Sequence, residues 1–409
     1  MKHYDIVALG NSAASLSFVT TLRKFNNDKS ILMVDRENLP AYSRVLTPYY
    51  VANKTDRDGI FIVNSEFYKS KGIDTIFGKT VVSVDFDKRY VHLDDGEIIN
   101  YKYLFIGLGA EATKIGLESD RVLNLRHLND ADKLHELYKT AKSVVGFGAG
   151  LVTIPLLSHL KDDVEKYLVI SSDRVFSRVV DKDAASIIED TMKNKGVKIY
   201  KKDNIKSIKT NKENISVELE SGNSLVADFA IIGKGVTQNT HIFKDSSLNI
   251  NWGILVNEYC QTNIENVYAG GDIAEDLDFI TKEYTTQGNW ITAVEHGEIA
   301  AKHILGIKEK YDGSIKNNTT EVFGVEVAVV GYFKDDVKTV TFYDQSRRYF
   351  RKLFLDENGV IIGCTMVGES NDAGIYYGLI KRRVKFDSFY KPNKFYTFPK
   401  ILYATNFIS

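Results

Sequence analysis

Residues 4–35 constrain the chain more than any other stretch. Tyr4-Asp5-Ile6-Val7-Ala8-Leu9 is a short apolar, β-prone run that breaks at Gly10-Asn11-Ser12-Ala13-Ala14-Ser15. A helical pattern then runs through Leu16, Val19 and Leu22, and a second apolar run, Ile31 to Val34, ends at Asp35. The order is strand, small-residue turn, helix, strand, acid. In a dinucleotide-binding unit such a turn lets backbone N–H groups approach a pyrophosphate at the helix N-terminus, and the acid accepts from ribose hydroxyls. The glycine rule keeps Gly10, with Ser12 at its second place and Ser15 at its third. Both replacements are small enough for close approach. Taken alone, the turn also fits an ordinary βαβ unit that holds no nucleotide.

At 409 residues the chain has room for two or three domains. Its 53 basic and 54 acidic residues nearly cancel, so no global field points to nucleic acid or a membrane surface. It holds no run of eighteen apolar residues and opens on a strand rather than a signal-peptide pattern, so a cytoplasmic protein is expected. The only cysteines, Cys260 and Cys364, form no CxxC, and the histidines offer no metal-ligand spacing. No metal is expected, and redox chemistry here needs a bound cofactor.

After Asp35, the loop from Pro40 to Tyr49 holds Arg44 among aromatics and prolines, as a surface connection or as a cation near an anionic or planar ligand. Thr80 to Val84 and Arg89 to Leu93 read as strands, with Asp94-Asp95-Gly96 as a hairpin turn. Tyr103 to Gly109 reads as a buried strand entering a glycine turn. A second unit of the opening kind begins at Ser143: Gly146, Gly148 and Gly150 make the turn, a helix is expected over Leu151 to Leu160, and a strand over Tyr167 to Ile170. In this frame Leu151 takes the third glycine's place, Pro155 falls early in the helix, and the strand ends at Ile170-Ser171-Ser172 without an acid. Ser171, Ser172, Arg174 and Arg178 are open to two readings: receivers of a 2′-phosphate, which favours NADPH, or the solvated start of the helix through Ala184 and Ile188. Later, Val267-Tyr268-Ala269 leads into Gly270-Gly271-Asp272, and Trp290 to Ala301 has helical periodicity.

Together these stretches resemble the FAD-dependent pyridine nucleotide-disulfide oxidoreductase family, nearest to the rubredoxin and ferredoxin reductases and the flavin portion of nitrite reductase large subunits. The residues carrying the resemblance are Gly253 to Glu258, Val267 to Glu275 and Gly363 to Ala373. It implies that Gly10, Ser12 and Ala13 line the FAD pyrophosphate and that Asp35, followed by Arg36 among the cofactor-binding residues, holds the adenosine ribose. It further implies that Val81 meets the adenine, Gly109 closes over the dinucleotide, Asp272 binds the ribityl chain, and Arg44 lies by the flavin. Glu295 and His296 are placed near the pyrimidine edge of the isoalloxazine. Gly146, Gly148, Gly150 and Arg174 are placed at the second nucleotide, NAD(P)H. A lysine after the arginine loop and a glutamate in the second unit's helix, present in many relatives, are replaced by Pro48 or Tyr49 and by Thr153.

The expected architecture is α/β: two Rossmann-like dinucleotide-binding domains and a C-terminal α+β interface domain. The FAD domain takes residues 1–115 and 240–315, the NAD(P)-binding-like domain 116–239, and the interface domain 316–409. The expected activity passes electrons from NAD(P)H through FAD to a protein acceptor such as rubredoxin or ferredoxin. The alternative is an FAD-binding subunit of a larger redox complex, its NAD(P) site no longer functional. Seven cations, Lys381, Arg382, Arg383, Lys385, Lys391, Lys394 and Lys400, stand among aromatics in the last thirty residues. They offer either a docking surface for an acidic carrier or a tail packed on its own domain or on a partner in a homodimer. No nucleic-acid partner and no membrane span are expected.

Overall fold

In the computed structural model, residues 2–25, 28–344 and 349–388 are described. The chain divides into two compact units. The first comprises the residues up to Thr47, Thr55–Thr113 and Val236–Ile315; the second comprises Pro48–Lys54, Lys114–Gly235 and the residues from Lys316 onward.

The first unit is built on a sheet whose central strand, β1 (Lys2–Leu9), is followed by α1 (Ala13–Lys24), β2 (Ile31–Asp35), β3 (Ile73–Phe77), β4 (Val81–Asp85), β5 (Tyr90–Leu93) and β6 (Ile98–Ile106). The strand order is β3-β2-β1-β6-β5-β4, and β7 (Val267–Ala269) pairs with the other side of β6. Ile6, Val7, Ala8 and Leu9 are wholly buried. A parallel strand covered on both faces reads as an unbroken apolar run rather than an alternating one. β1 pairs in parallel with β2, Leu9 opposite Val34, and with β6, Leu9 opposite Ile106. Helix α2 (Trp290–Ile304) packs on α1 so closely that a Cβ on Gly297 would stand 2.2 Å from the Ala14 carbonyl oxygen.

The second unit repeats this plan. Its parallel sheet runs Lys198–Lys201, Glu165–Ile170, Ser143–Phe147, Phe229–Ile232, Val122–Asn124, with a three-stranded antiparallel sheet inserted before Phe229. The C-terminal part is a five-stranded antiparallel sheet, with Ile361–Val367 at its centre and the helix Ala373–Lys381 against it. The two-Rossmann α/β plan with a C-terminal sheet is the expected one. Lys391, Lys394 and Lys400 of the basic tail lie outside the described residues.

Candidate functional site

The Gly10 turn is fixed by backbone sterics. Gly10 has φ +93°, and a Cβ there would lie 2.2 Å from the Gly107 carbonyl oxygen. A side chain is therefore excluded both by the left-handed backbone and by the close passage of β6. A Cβ on Gly107 would in turn lie 2.2 Å from Ser15 Oγ. Ser15 Oγ, wholly buried, donates to the Leu9 carbonyl at 3.2 Å, so the hydroxyl at the third glycine's place is accommodated by a glycine across from it.

Asp35 closes the unit. Its Oδ2 accepts from the Asn11 N–H at 2.8 Å and its Oδ1 from the Glu37 N–H at 2.7 Å, tying the end of β2 to the turn. Burial pushes this carboxyl up from its ordinary range, against the pull of the two N–H groups. Asn11 is held beneath by Tyr68, whose hydroxyl donates to Asn11 Oδ1 at 2.8 Å and accepts from Ala41 N at 2.9 Å. Neither Asn11 nor Tyr68 stands out in the sequence.

Arg44 is half-buried and drawn inward: it donates to Glu37 Oε2 at 2.9 Å and to the Tyr42 hydroxyl at 2.7 Å, with its guanidinium 5.0 Å from the Tyr42 ring centroid. Burial works against its charge, but Tyr42 and Glu37 outweigh that and raise its affinity for the proton. The loop thus carries an ion-paired arginine braced to the residue two beyond Asp35. Arg36 instead ion-pairs with Glu111 at the surface. Val81 is buried at the start of β4, and Gly109, with φ +65°, is clasped by Asn239, whose N–H bonds the Gly109 carbonyl at 3.0 Å.

The Gly270-Gly271-Asp272 turn follows β7 and meets α1. With φ +75° at Gly271, a Cβ there would come within 3.2 Å of the Ala14 Cβ. Gly288 lies against Asp272, its would-be Cβ 3.8 Å from the carboxylate. The Gly10 turn leads into the first turn of α1 and the Gly271 turn packs against it at Ala14. Asn289 caps α2, accepting from Thr292 N at 2.8 Å, and its buried Nδ2 has no partner among the described residues. An Asn immediately before a helical pattern is the signal that would have marked it.

Glu295 and His296 were expected at a ring edge. Instead the His296 imidazole is sealed behind the Asp272 turn: Nδ1 accepts from Gly271 N at 3.2 Å, Nε2 is 3.5 Å from Asp276 Oδ2, and the Tyr311 ring stands edge-on at 5.0 Å. Glu295 accepts from the Tyr311 hydroxyl at 3.2 Å. Helical periodicity turns position 296 inward beside Gly297, so this histidine supports the turn from behind.

In the second unit the same contacts recur one by one. Gly10 N donates to the Val34 carbonyl at 2.7 Å and Gly148 N to the Val169 carbonyl at 2.9 Å; Gly107 N donates to Leu9 and Gly233 N to Phe147, each at 2.8 Å. Gly148 has φ +91°, and its Cβ would meet the Gly233 carbonyl at 2.3 Å. A Cβ on Gly233 would meet Thr153 Oγ1 at 2.0 Å, as Gly107 meets Ser15. This corrects the frame read from sequence. The turn glycines are Gly148 and Gly150, Thr153 holds the third place, and Gly146 is a buried strand residue packed on Thr153 and Leu157. Leu151 is consequently no obstacle to close packing, and Pro155, not Thr153, falls where the resemblance expects a glutamate. The helix is short, Thr153–His159. Arg174 donates to the Ser177 carbonyl at 3.3 Å and pairs with Asp173 at 3.2 Å, while its Nε is buried without a partner among the described residues. The helix through Ala184 starts only at Lys182, capped by Asp181, so Ser171 to Arg178 is a separate loop.

The profile of the family described as pyridine nucleotide-disulphide oxidoreductase matches residues 4–297. The chain belongs to this family. Among its relatives, an NADH oxidase of Methanocaldococcus jannaschii is 28% identical over 88% of this chain and 87% of its own length. An NADH-rubredoxin oxidoreductase of Clostridium acetobutylicum is 26% identical over 90% of this chain and 93% of its own. The electron transfer subunit of assimilatory nitrate reductase of Bacillus subtilis is 26% identical over 91% of this chain, which spans only 48% of that relative. Putidaredoxin reductase, solved in covalent complex with putidaredoxin, has the same fold, with a TM-score of 0.87 and 19% identity over 93% of each chain. Membership makes the chain an oxidoreductase working with pyridine nucleotides. The disulphide half of the family description has no pair here: Cys260 and Cys364 are each buried, one in each unit, and burial raises both thiols well above their ordinary range. Among the described residues no helix is long and apolar enough to cross a membrane, and no cluster of ligating side chains is placed to hold a metal ion.

Proposed function

We propose that the chain is an FAD-dependent reductase that takes electrons from NAD(P)H and delivers them to a small redox protein of the rubredoxin or ferredoxin kind. The observation that carries this reading is the convergence of the Gly10 turn, closed by Asp35, with the Gly271-Asp272 turn on the first turn of α1. That is an arrangement for one long dinucleotide held at both ends.

The residues fit FAD on the donors they leave open. Asp35 keeps lone pairs for an adenosine ribose, α1 presents its N-terminus at the turn, and Asn289, next in sequence to the Gly288 that lies against Asp272, holds a buried N–H with no partner among the described residues. Bound flavin would supply the conversion between two-electron and one-electron transfer, which no side chain here provides. The protein's share is to hold the cofactor, exclude water from its face, and complement negative charge with the α2 N-terminus. The relatives named as an NADH oxidase and an NADH-rubredoxin oxidoreductase support the donor and the class of acceptor.

The corrected frame of the second unit favours a working nucleotide site over a lost one, since its turn keeps two glycines and repeats the contacts of the first. Anaerobic mixing of purified protein with excess NADH or NADPH is expected to bleach the flavin absorbance. Colourless protein that takes up no flavin rejects the cofactor; flavin that neither nucleotide bleaches rejects the reductase.

A further inference from the structure

The two glycine turns repeat each other's backbone bonds, so positions around the first show what their counterparts in the second would do. Gly10 N bonds the carbonyl of Val34 and the next residue is Asp35; Gly148 N bonds the carbonyl of Val169 and the next residue is Ile170. Asp35 lies opposite Phe77 of the neighbouring strand, whereas Ile170 lies opposite Lys201. In the first unit the acid takes the Asn11 N–H. Its counterpart in the second, the Ala149 N–H, has no acceptor among the described residues.

Building on the reductase reading, we infer that this chain selects NADPH over NADH, with Ile170 as the specificity-determining residue and Arg174 as the cation that receives the 2′-phosphate. A carboxylate at the end of the second strand accepts from the 2′- and 3′-hydroxyls of a ribose and repels a phosphate placed there. An isoleucine, only 1% exposed, does neither.

The loop that follows supplies what a phosphate needs. Phe176 N bonds the Ala149 carbonyl at 3.0 Å, folding residues 171–176 back onto the glycine turn, and buried Glu189 holds that fold through Val175 N at 3.1 Å. Arg174 is thereby kept beside the turn with its Nε unanswered, its other nitrogens spent only on Asp173 and a backbone carbonyl. Ser171 is exposed and Ser172 donates to the Arg174 carbonyl at 2.8 Å. Lys201, held by Glu189 at 2.9 Å, and exposed Lys202 lie beside this loop, where the nearby carboxylates are already engaged: Asp173 with Arg174, and buried Asp203, whose N–H bonds the Ile170 carbonyl at 3.0 Å, with Ser221.

The test uses the flavin-loaded full chain and two fragments, adenosine 2′,5′-bisphosphate and 5′-AMP, titrated by calorimetry so that binding is read apart from turnover. The bisphosphate is expected to bind at least tenfold more tightly. Ile170→Asp is expected to cut that ratio at least tenfold, and Arg174→Ala to weaken the bisphosphate at least threefold while leaving 5′-AMP unchanged. Arg174 is partly exposed, so its variant keeps the question answerable if an aspartate at buried position 170 prevents folding. Equal or tighter binding of 5′-AMP, or a ratio that Arg174→Ala leaves where it was, overturns the inference. Bleaching of the flavin by NADH with none by NADPH overturns the inference alone; bleaching by neither removes the reductase reading with it.

Discussion

At the scale of single residues, the paired turns allow a controlled comparison. Ser15 and Thr153 hold equivalent places, yet the Ser15 hydroxyl is bonded to Leu9 while Thr153 Oγ1 is buried without a partner among the described residues. An intramolecular hydrogen bond is worth about 1 kcal/mol and an unanswered buried hydroxyl costs about 1–3 kcal/mol. Ser15→Ala should therefore lower stability by about 1 kcal/mol, whereas Thr153→Val should leave it unchanged or raise it; denaturant midpoints of the two variants decide this. Gly10→Ala should be far worse, at about 3 kcal/mol or more, because the methyl meets a backbone oxygen in a left-handed conformation; flavin content and melting temperature should fall together. Sequence shows the small residues but not the register among them. Gly146, Gly148 and Gly150 alternate, so two frames fit equally, and only the bond from Gly148 N to Val169 chooses between them. The tyrosine at 68 was illegible for another reason, since its role arises from a partner 57 residues away; at 289 the helix cap was legible, but the unanswered Nδ2 was not.

Elements were easier to read than their joints. The apolar runs at Ile6 to Leu9 and Ile31 to Val34 and the periodicity of α1 and α2 carry their own signal, because burial on both faces or on one stripe leaves a pattern in the residues. What holds elements to one another does not. Lys352, in the strand Tyr349–Leu355, is nearly buried and reaches Asp335 at 2.5 Å, Asp183 at 2.8 Å and Asp181 at 3.4 Å. Asp181 caps the helix Lys182–Asn194, so one ammonium fixes that helix start to the C-terminal sheet within the second unit. Lys352→Met should cost about 3–5 kcal/mol by stranding buried carboxylate charge, and adding Asp181→Asn should recover part of the loss. Thermal melts of the two single variants and the double variant give the coupling. The helix Thr153–His159 ends on a histidine whose ring is tilted against that of Tyr49, 4.1 Å between centroids, and burial lowers its proton affinity, with Glu321 opposing and Lys54 assisting. Its folded pKa is depressed, so the unfolded chain takes up the proton first. The stability it contributes is present above about pH 6.5 and is lost as pH falls through the folded value. Replacing it by His159→Phe should flatten that part of the stability profile, and an unchanged slope between pH 6.5 and 5 would assign the slope to other groups.

For the whole molecule, a net charge of −1 hides an uneven distribution. Lys381, Arg382, Arg383 and Lys385 are exposed in and just after the C-terminal helix, with Asp356 3.6 Å from Arg383 and Asp387 nearby in sequence. A cationic surface of this kind raises the rate at which an acidic carrier is captured, and the gain is screened over a Debye length of about 10 Å at 0.1 M salt. If electrons leave the protein there, reduction of an acidic ferredoxin or rubredoxin should slow several-fold between 0.05 and about 0.3 M salt, while reduction of a small neutral acceptor should not. The paired substitutions Lys381→Glu and Arg382→Glu should then raise the KM for the carrier at least fivefold with little change in kcat. They should leave bleaching by the nicotinamide cofactor as it was, because neither residue belongs to either nucleotide site. The alternative, that these cations serve only to keep the C-terminal part solvated, predicts that carrier reduction and small-acceptor reduction respond alike to salt and to both substitutions. Steady-state measurements with the two acceptors on one preparation separate these outcomes, since any loss of folding would lower both rates together.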